Sequence, residues 1–219
     1  MILDKQSVLK YIGEKKLRIE PLSTELLQNV GIDLRISERI LRLKSEKKEL
    51  DTYRATNLDQ YYRAQTGRSF VIKAGENILA STIERIILPT DLVGFVHLKS
   101  TYARLGLLLS TGVVSPGFEG KLTFEMHGGS FPIRIHSNEA ILCVFLAKLA
   151  SNAKPYEGRY QGQSGPLMPR LIRKEGRENK SKQTRVKRVS ARELGGTRTR
   201  ESYKKYFSRL VSSTFAYLK

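Results

Sequence analysis

The apolar positions of this chain follow three successive rhythms. Near the start, Val8, Leu9 and Ile12 fall on one face at helical spacing, with Asp4 placed to cap the helix. Ser23 is placed to cap a shorter helix carrying Leu26, Leu27 and Val30. From residue 69 the rhythm shortens. Segments 69–73, 77–80, 82–88, 93–98, 121–127, 133–136 and 140–149 are rich in β-branched, aromatic or leucine residues, with Gly75, Pro89, Gly117, Gly120 and Pro132 among their punctuation. Short strands with turn signals at this spacing predict an all-β sandwich or barrel-like domain, mainly β with short helices. The polar stretch 44–66 receives no element. At the end, Tyr203, Tyr206, Phe207, Leu210, Val211 and Phe215 return to spacings of three and four, the pattern of a short amphipathic helix. No internal repeat is present.

Two of these segments carry more detail. In 121–127, Leu122, Phe124 and Met126 alternate with Lys121, Thr123, Glu125 and His127. If the first set packs inward, Glu125 faces the other side of the strand. Residues Ala140–Ala147 form a continuous apolar run, which reads as a strand buried on both faces with Cys143 as a packed, inert thiol.

Charge changes the picture at the C-terminus. The 219 residues hold 39 Lys and Arg against 21 Asp and Glu, a net +18. Residues 171–219 account for +11 of it, with 15 basic and 4 acidic side chains. The stretch Arg173–Arg200 has few large apolar residues and reads as a flexible arm. The chain therefore divides into a folded domain, 1–170, and a basic extension, 171–219, whose charge suits a polyanion such as nucleic acid. One cysteine excludes an intrachain disulfide and a zinc site built on several thiolates. No apolar run reaches the roughly 18 residues of a membrane span, and the start Met1-Ile2-Leu3-Asp4-Lys5 lacks the order of a secretory signal, so no membrane partner and a cytoplasmic location are expected.

The chemistry concentrates in 94–120. After a strand ending near Lys99, Ser100 is placed as the N-cap of one helical turn, with Arg104 on the same face. Free N–H groups, the Ser100 and Thr101 hydroxyls and the Lys99 and Arg104 cations together suit a phosphate group. The run K-S-T-Y-A-R-L-G, followed by T-G-V-V-S-P-G-F-E-G-K-L-T-F-E, resembles the dCTP deaminase branch of the trimeric dUTPase superfamily. Residues 1–36, I-L-A-S-T-I-E-R-I-I-L-P at 78–89, and Tyr156 with R-Y-Q-G-Q-S-G-P at 159–166 extend the resemblance over about residues 1–170.

The resemblance implies a dUTPase-like β-barrel or β-clip domain and a zinc-independent dCTP deaminase, converting dCTP and water to dUTP and ammonia. It implies Glu125, Ser100 and Arg104 as catalytic residues. It implies a nucleotide held by Lys99, Ser100, Thr101, Arg104, Thr111, Gly112, Ser115, Tyr156, Arg159 and Gln163, the last three on a C-terminal lid. It also implies Mg²⁺ arriving with the triphosphate and a homotrimer with sites shared between chains. One cysteine agrees with the zinc-free route, since zinc deaminases need an H-x-E…P-C-x-x-C ligand set.

Two positions depart from the family pattern. Ser115 stands where the family has Asp, and serine unaided is a poor base. Lys99 replaces an Arg, which keeps charge and loses bidentate geometry. Ser115 argues against dUTP diphosphatase or bifunctional activity unless another carboxylate, such as Glu119, reaches the site. A third reading is an inactive member that binds nucleic acid through its tail. His97, His127 and His136 form no metal-ligand set, although His127 shares a face with Glu125 and could border the site. Asp33 is expected to hold the N-terminal segment in place.

Overall fold

The structure, a computed structural model, describes residues 1–44, 49–53, 57–110 and 112–171. The expected flexible arm, the C-terminal amphipathic helix and Thr111 lie outside those residues.

Helix α1 (Lys5–Gly13) starts where its cap dictates, with the Asp4 carboxylate accepting from the Ser7 N–H at 2.9 Å. Val8 is buried and Ile12 packs against the core, but Leu9 stays exposed. Strand β1 (Arg18–Glu20) follows. Ser23 does not cap a helix. A single 3-10 turn, Thr24–Leu26, stands there and its Ser23 hydroxyl makes no cap bond. Leu27 already pairs with Ile32, so the chain is committed to the sheet before a helix can propagate.

The strands then run β2 (Ile32–Leu43), β3 (Tyr62–Thr66), β4 (Ser69–Ile72), β5 (Asn77–Ile87) and β6 (Leu92–Leu98). After a one-turn helix α2 (Ser100–Arg104) come β7 (Leu108–Leu109), β8 (Gly112–Val114), β9 (Glu119–His127), β10 (Ile133–His136) and β11 (Ala140–Lys148). Nine strands form one sheet in the order β7-β9-β5-β2-β11-β6-β8, with β1 added to β5 and β3 to β2, and β4 and β10 pair separately. The two ends of that order, β7 and β8, follow each other in the chain with two residues between them. A sheet whose edges are joined so tightly must curl until they meet. The seam where they meet lies beside β9 and β6. Inside the curl Leu34, Ile36, Ile40, Ile78, Ile141 and Leu142 are wholly buried.

The expected strands are present, with three corrections. Segments 77–80 and 82–88 belong to one strand, β5, whose register against β9 shifts between Ser81 and Arg85. Glu84 lies on the same inward face as Ile78, Ala80, Thr82 and Ile86, since the shift is by two residues and keeps the faces, and it is wholly buried. Its carboxylate accepts from the Arg35 Nε at 2.6 Å and the Arg35 backbone N–H at 2.8 Å. The unassigned stretch 44–66 contains β3. Strand β11 lies between β2 and β6, yet it is buried on one face only: Ile141, Leu142, Val144 and Leu146 are buried, while Cys143, Phe145 and Ala147 are half-buried.

Candidate active site

Strand β9 sets the site. Leu122, Phe124 and Met126 enter the core as their alternation requires, and Glu125 stands exposed on the opposite face. Across the ladder Glu125 faces Leu79 of β5. The backbone of Ser110, at the seam, donates to the Glu125 carbonyl at 3.4 Å.

A strap of non-regular chain, residues 155–169, runs alongside β9 in the same direction. The Tyr156 N–H donates to the Pro116 carbonyl at 2.8 Å, and the Gly162 N–H to the Glu119 carbonyl at 2.8 Å. The Lys121 N–H donates to the Gln163 carbonyl at 2.8 Å. Gln161 bridges the Glu119 N–H at 3.0 Å and the Gly117 carbonyl at 2.9 Å. The Thr123 hydroxyl donates to the Gly165 carbonyl at 3.1 Å and accepts from the Leu167 N–H at 3.3 Å. Gly120 makes this close approach feasible: a Cβ there would sit 2.8 Å from the Gln163 oxygen, on a backbone with φ +147°.

Strap, seam and β9 line a half-open cavity of about 290 Å³. Its lining includes Glu125, Gly112, Ser115, Tyr156 and Gln163, five of the residues expected at the site. Sequence reasoning missed Leu79, Val96, Thr123 and Tyr160, which also line it. Tyr160 was legible only as part of the 159–166 segment, and the others carry no chemistry that marks them. Tyr62 of β3 lies near enough to feel the Glu125 charge. Burial first, then Glu125 and Tyr160, raises its phenol above the ordinary range.

Other expected residues stand apart. Ser100, Thr101 and Arg104 are exposed on α2 and do not line this cavity of their own chain. Lys99, rather than Ser100, occupies the N-cap position of α2, without a side-chain cap bond. The Lys99 ammonium pairs with the buried Asp33 carboxylate, which also accepts from the Gln28 amide at 3.1 Å, so Asp33 does tie part of the N-terminal segment. The Arg159 guanidinium donates to the Arg170 carbonyl. His127 pairs with Asn77 at 2.8 Å and does not line the cavity. Glu119 is held by Arg85 and does not line it either. Glu125 is thus the one carboxylate among the described residues around the cavity.

The sheet that curls until its edges meet over a single-carboxylate pocket has the dUTPase-like fold. In three dimensions it resembles the 2'-deoxycytidine 5'-triphosphate deaminase from Agrobacterium tumefaciens, with a TM-score of 0.54 and 19% identity over 66% of this chain and 47% of that one. A family model for dCTP deaminase-like proteins matches residues 2–149, and the chain belongs to that family. It is 37% identical over 174 residues to the dCTP deaminase of Hyperthermus butylicus, a match taking in 78% of this chain and 99% of that protein. It is also 38% identical over 166 residues to a probable deoxyuridine 5'-triphosphate nucleotidohydrolase of Sulfolobus islandicus rod-shaped virus 1, over 75% of this chain and 96% of that one. No helix among the described residues is long and apolar enough to cross a membrane.

Proposed function

We propose that the chain is a dCTP deaminase that releases dUTP intact. The observation that carries this reading is the single carboxylate of the cavity. Glu125 takes a proton from water as the oxygen adds to C4 of the cytosine. The same carboxyl then delivers a proton to the departing amine, so dCTP and water leave as dUTP and ammonia. Hydrolysis of the phosphate chain would need a second base. Ser115 occupies the position where the family pattern has Asp, and Glu119 is committed to Arg85.

Leu79, Val96 and Phe118 offer apolar walls for the pyrimidine, and the strap with Tyr156, Tyr160 and Gln163 closes over the nucleotide. Ser100, Thr101 and Arg104 complete the site from a neighbouring copy in a homotrimer. Their exposure on α2, away from the cavity of their own chain, supports that arrangement, as do the exposed Leu108 and Val113 beside the seam. No group of three His, Cys, Asp or Glu among the described residues is spaced to hold a metal ion. Mg²⁺ would arrive bound to the triphosphate oxygens and its own waters, where it would offset their charge.

The basic extension adds a second property. The Hyperthermus match spans 99% of that protein and 78% of this chain, leaving about a fifth of this chain outside it. The +11 charge of residues 171–219 binds nucleic acid electrostatically, independent of the nucleotide site. Deleting 171–219 abolishes salt-sensitive DNA binding and spares turnover; equal DNA binding by the shortened protein would refute this.

The deciding experiment incubates the protein with dCTP and Mg²⁺ and separates the nucleotides. The reading requires dUTP to accumulate. dUMP would mean that a second base reaches the phosphates, and an unchanged dCTP peak would end the deaminase assignment.

A further inference from the structure

Asp33 is 3% exposed and sits in β2, directly opposite Cys143 of β11. Two donors from separate parts of the chain converge on its carboxylate. Lys99 brings the charge from the start of α2, and the Gln28 amide reaches it from the segment before β2. The Cys143 thiol lies beside it on the neighbouring strand. Burial and the adjacent carboxylate push that thiol up to about 11, which keeps it neutral beside the charge. The ammonium end of this pair is half-buried and its carboxylate end almost wholly so, with side-chain exposures of 35% and 4%.

The placement of Lys99 gives the pair its consequence. Its backbone is extended, its N–H donates to the Ile141 carbonyl of β11 at 2.9 Å, and its carbonyl starts α2. The next residue is Ser100, and one turn later comes Arg104. A side chain drawn inward at the N-cap fixes the direction in which that turn leaves the sheet, and all of Ser100, Thr101 and Arg104 then face outward.

We propose that Asp33 is a positioning residue. Its buried carboxylate anchors Lys99 and thereby aims the Ser100–Arg104 turn, and Lys99 takes no part in binding the phosphates of the nucleotide. This reverses the phosphate role that its neighbours and its charge suggest for Lys99. It also accounts for tolerance of lysine where the family pattern has arginine, since a point charge satisfies one buried carboxylate without bidentate geometry. The functional half of the proposal rests on the deaminase reading; the anchoring half does not.

The test begins on the unaltered protein. Lysines are acylated at pH 8 with and without saturating dCTP, and the modified peptides are mapped. Lys99 is expected to react at least tenfold more slowly than the exposed Lys154, at a rate dCTP does not change by more than twofold. A Lys99 that reacts like Lys154 and is protected by dCTP overturns the proposal. Asp33→Asn, Lys99→Met and the double variant then separate kcat from KM. Each single change is expected to lower kcat tenfold or more with KM within threefold, and the double to recover part of the loss. A Lys99→Met protein with a tenfold higher KM and an Asp33→Asn protein like the parent would also overturn it. If the unaltered protein turns over no dCTP, the deaminase reading and the catalytic half fail together. The acylation rate without nucleotide still decides the Asp33–Lys99 contact.

Discussion

The rings of Phe118 and Tyr156 meet with centroids 6.0 Å apart and planes tilted by 54°. Phe118 precedes β9, and Tyr156 opens the strap, so this contact fastens the lid of the cavity to its floor. It is reinforced at Gly117, where a Cβ would lie 2.6 Å from Pro155 Cα. An aromatic pair of this kind contributes about 0.5–1.5 kcal/mol beyond its buried area.

Tyr156→Ala should therefore loosen the strap without unfolding the sheet. We expect the KM for dCTP to rise about tenfold, matching the upper end of that contribution, with a smaller change in kcat. Limited proteolysis should cut within 155–169 faster than in the parent. Tyr156→Phe keeps the ring and loses only the hydroxyl that accepts from the Tyr160 N–H at 3.4 Å, so it should behave nearly as the parent. Equal kinetics for the alanine and phenylalanine variants would show that the strap does not cover bound nucleotide.

Glu125→Gln preserves shape and removes the base. Turnover should fall by about 10²–10⁴-fold, the usual contribution of a positioned acid or base. Glu125 is exposed and outside the hydrophobic cluster, so thermal stability should not drop, and calorimetric dCTP binding should stay within a few-fold. Turnover retained at the parental rate would remove Glu125 from the mechanism.

Much of this arrangement was readable where one rhythm governs one strand. Leu122, Phe124 and Met126 alternate without interruption, and the exposed Glu125 follows from them. Strand β2 was not assigned because its rhythm breaks: Ile32, Leu34 and Ile36 alternate, then Ile40 and Leu41 are buried in succession after a register shift against β5. Strand β5 reads as two segments because the buried Ser81 and Thr82 interrupt its apolar run, although Ile78, Ala80, Thr82, Glu84 and Ile86 keep one inward period throughout. Each register shift is by two residues and keeps the faces, so what hides the alternation is a glutamate, Glu38 in β2 and Glu84 in β5, where the period calls for an apolar side chain. The cavity was half legible. Glu125, Ser115 and Tyr156 carry chemistry or a motif. Leu79 and Val96 reach it only because the sheet curls, which no local pattern records. Lys99 shows the opposite failure, since its charge was plain and its partner, 66 positions away, was not.

The buried pair Arg35–Glu84 makes a stability prediction. Glu84 is wholly enclosed, and Arg35 supplies two of the donors that satisfy it. Arg35→Met should cost about 3–5 kcal/mol by leaving that charge uncompensated. Combining it with Glu84→Gln should recover a large part. Urea unfolding of the singles and the double measures both. Single variants within 1 kcal/mol of the parent, as expected for a solvent-screened surface pair, would contradict the burial of Glu84.

Alkaline pH should weaken the fold in a defined order. Burial first, then the Asp33 carboxylate, pushes the Cys143 thiol from its ordinary 9.0 up to about 11. Burial likewise pushes the phenols of Tyr11 and Tyr102 from 10.0 up to about 12, helped by Asp91 and Glu139. Between each pair of values the folded chain keeps a proton that the unfolded chain has released, so stability must fall as pH rises. The contribution of Cys143 is fully present below about pH 9 and is lost by about 11; those of the tyrosines are lost between about 10 and 12. The melting temperature should stay level to about pH 9 and then decline in two overlapping stages, and Cys143→Ala should flatten the first. Thiol ionisation followed by ultraviolet absorbance gives the direct check. A Cys143 midpoint near 9 in the folded protein would mean that neither partial burial nor the Asp33 charge acts on the thiol.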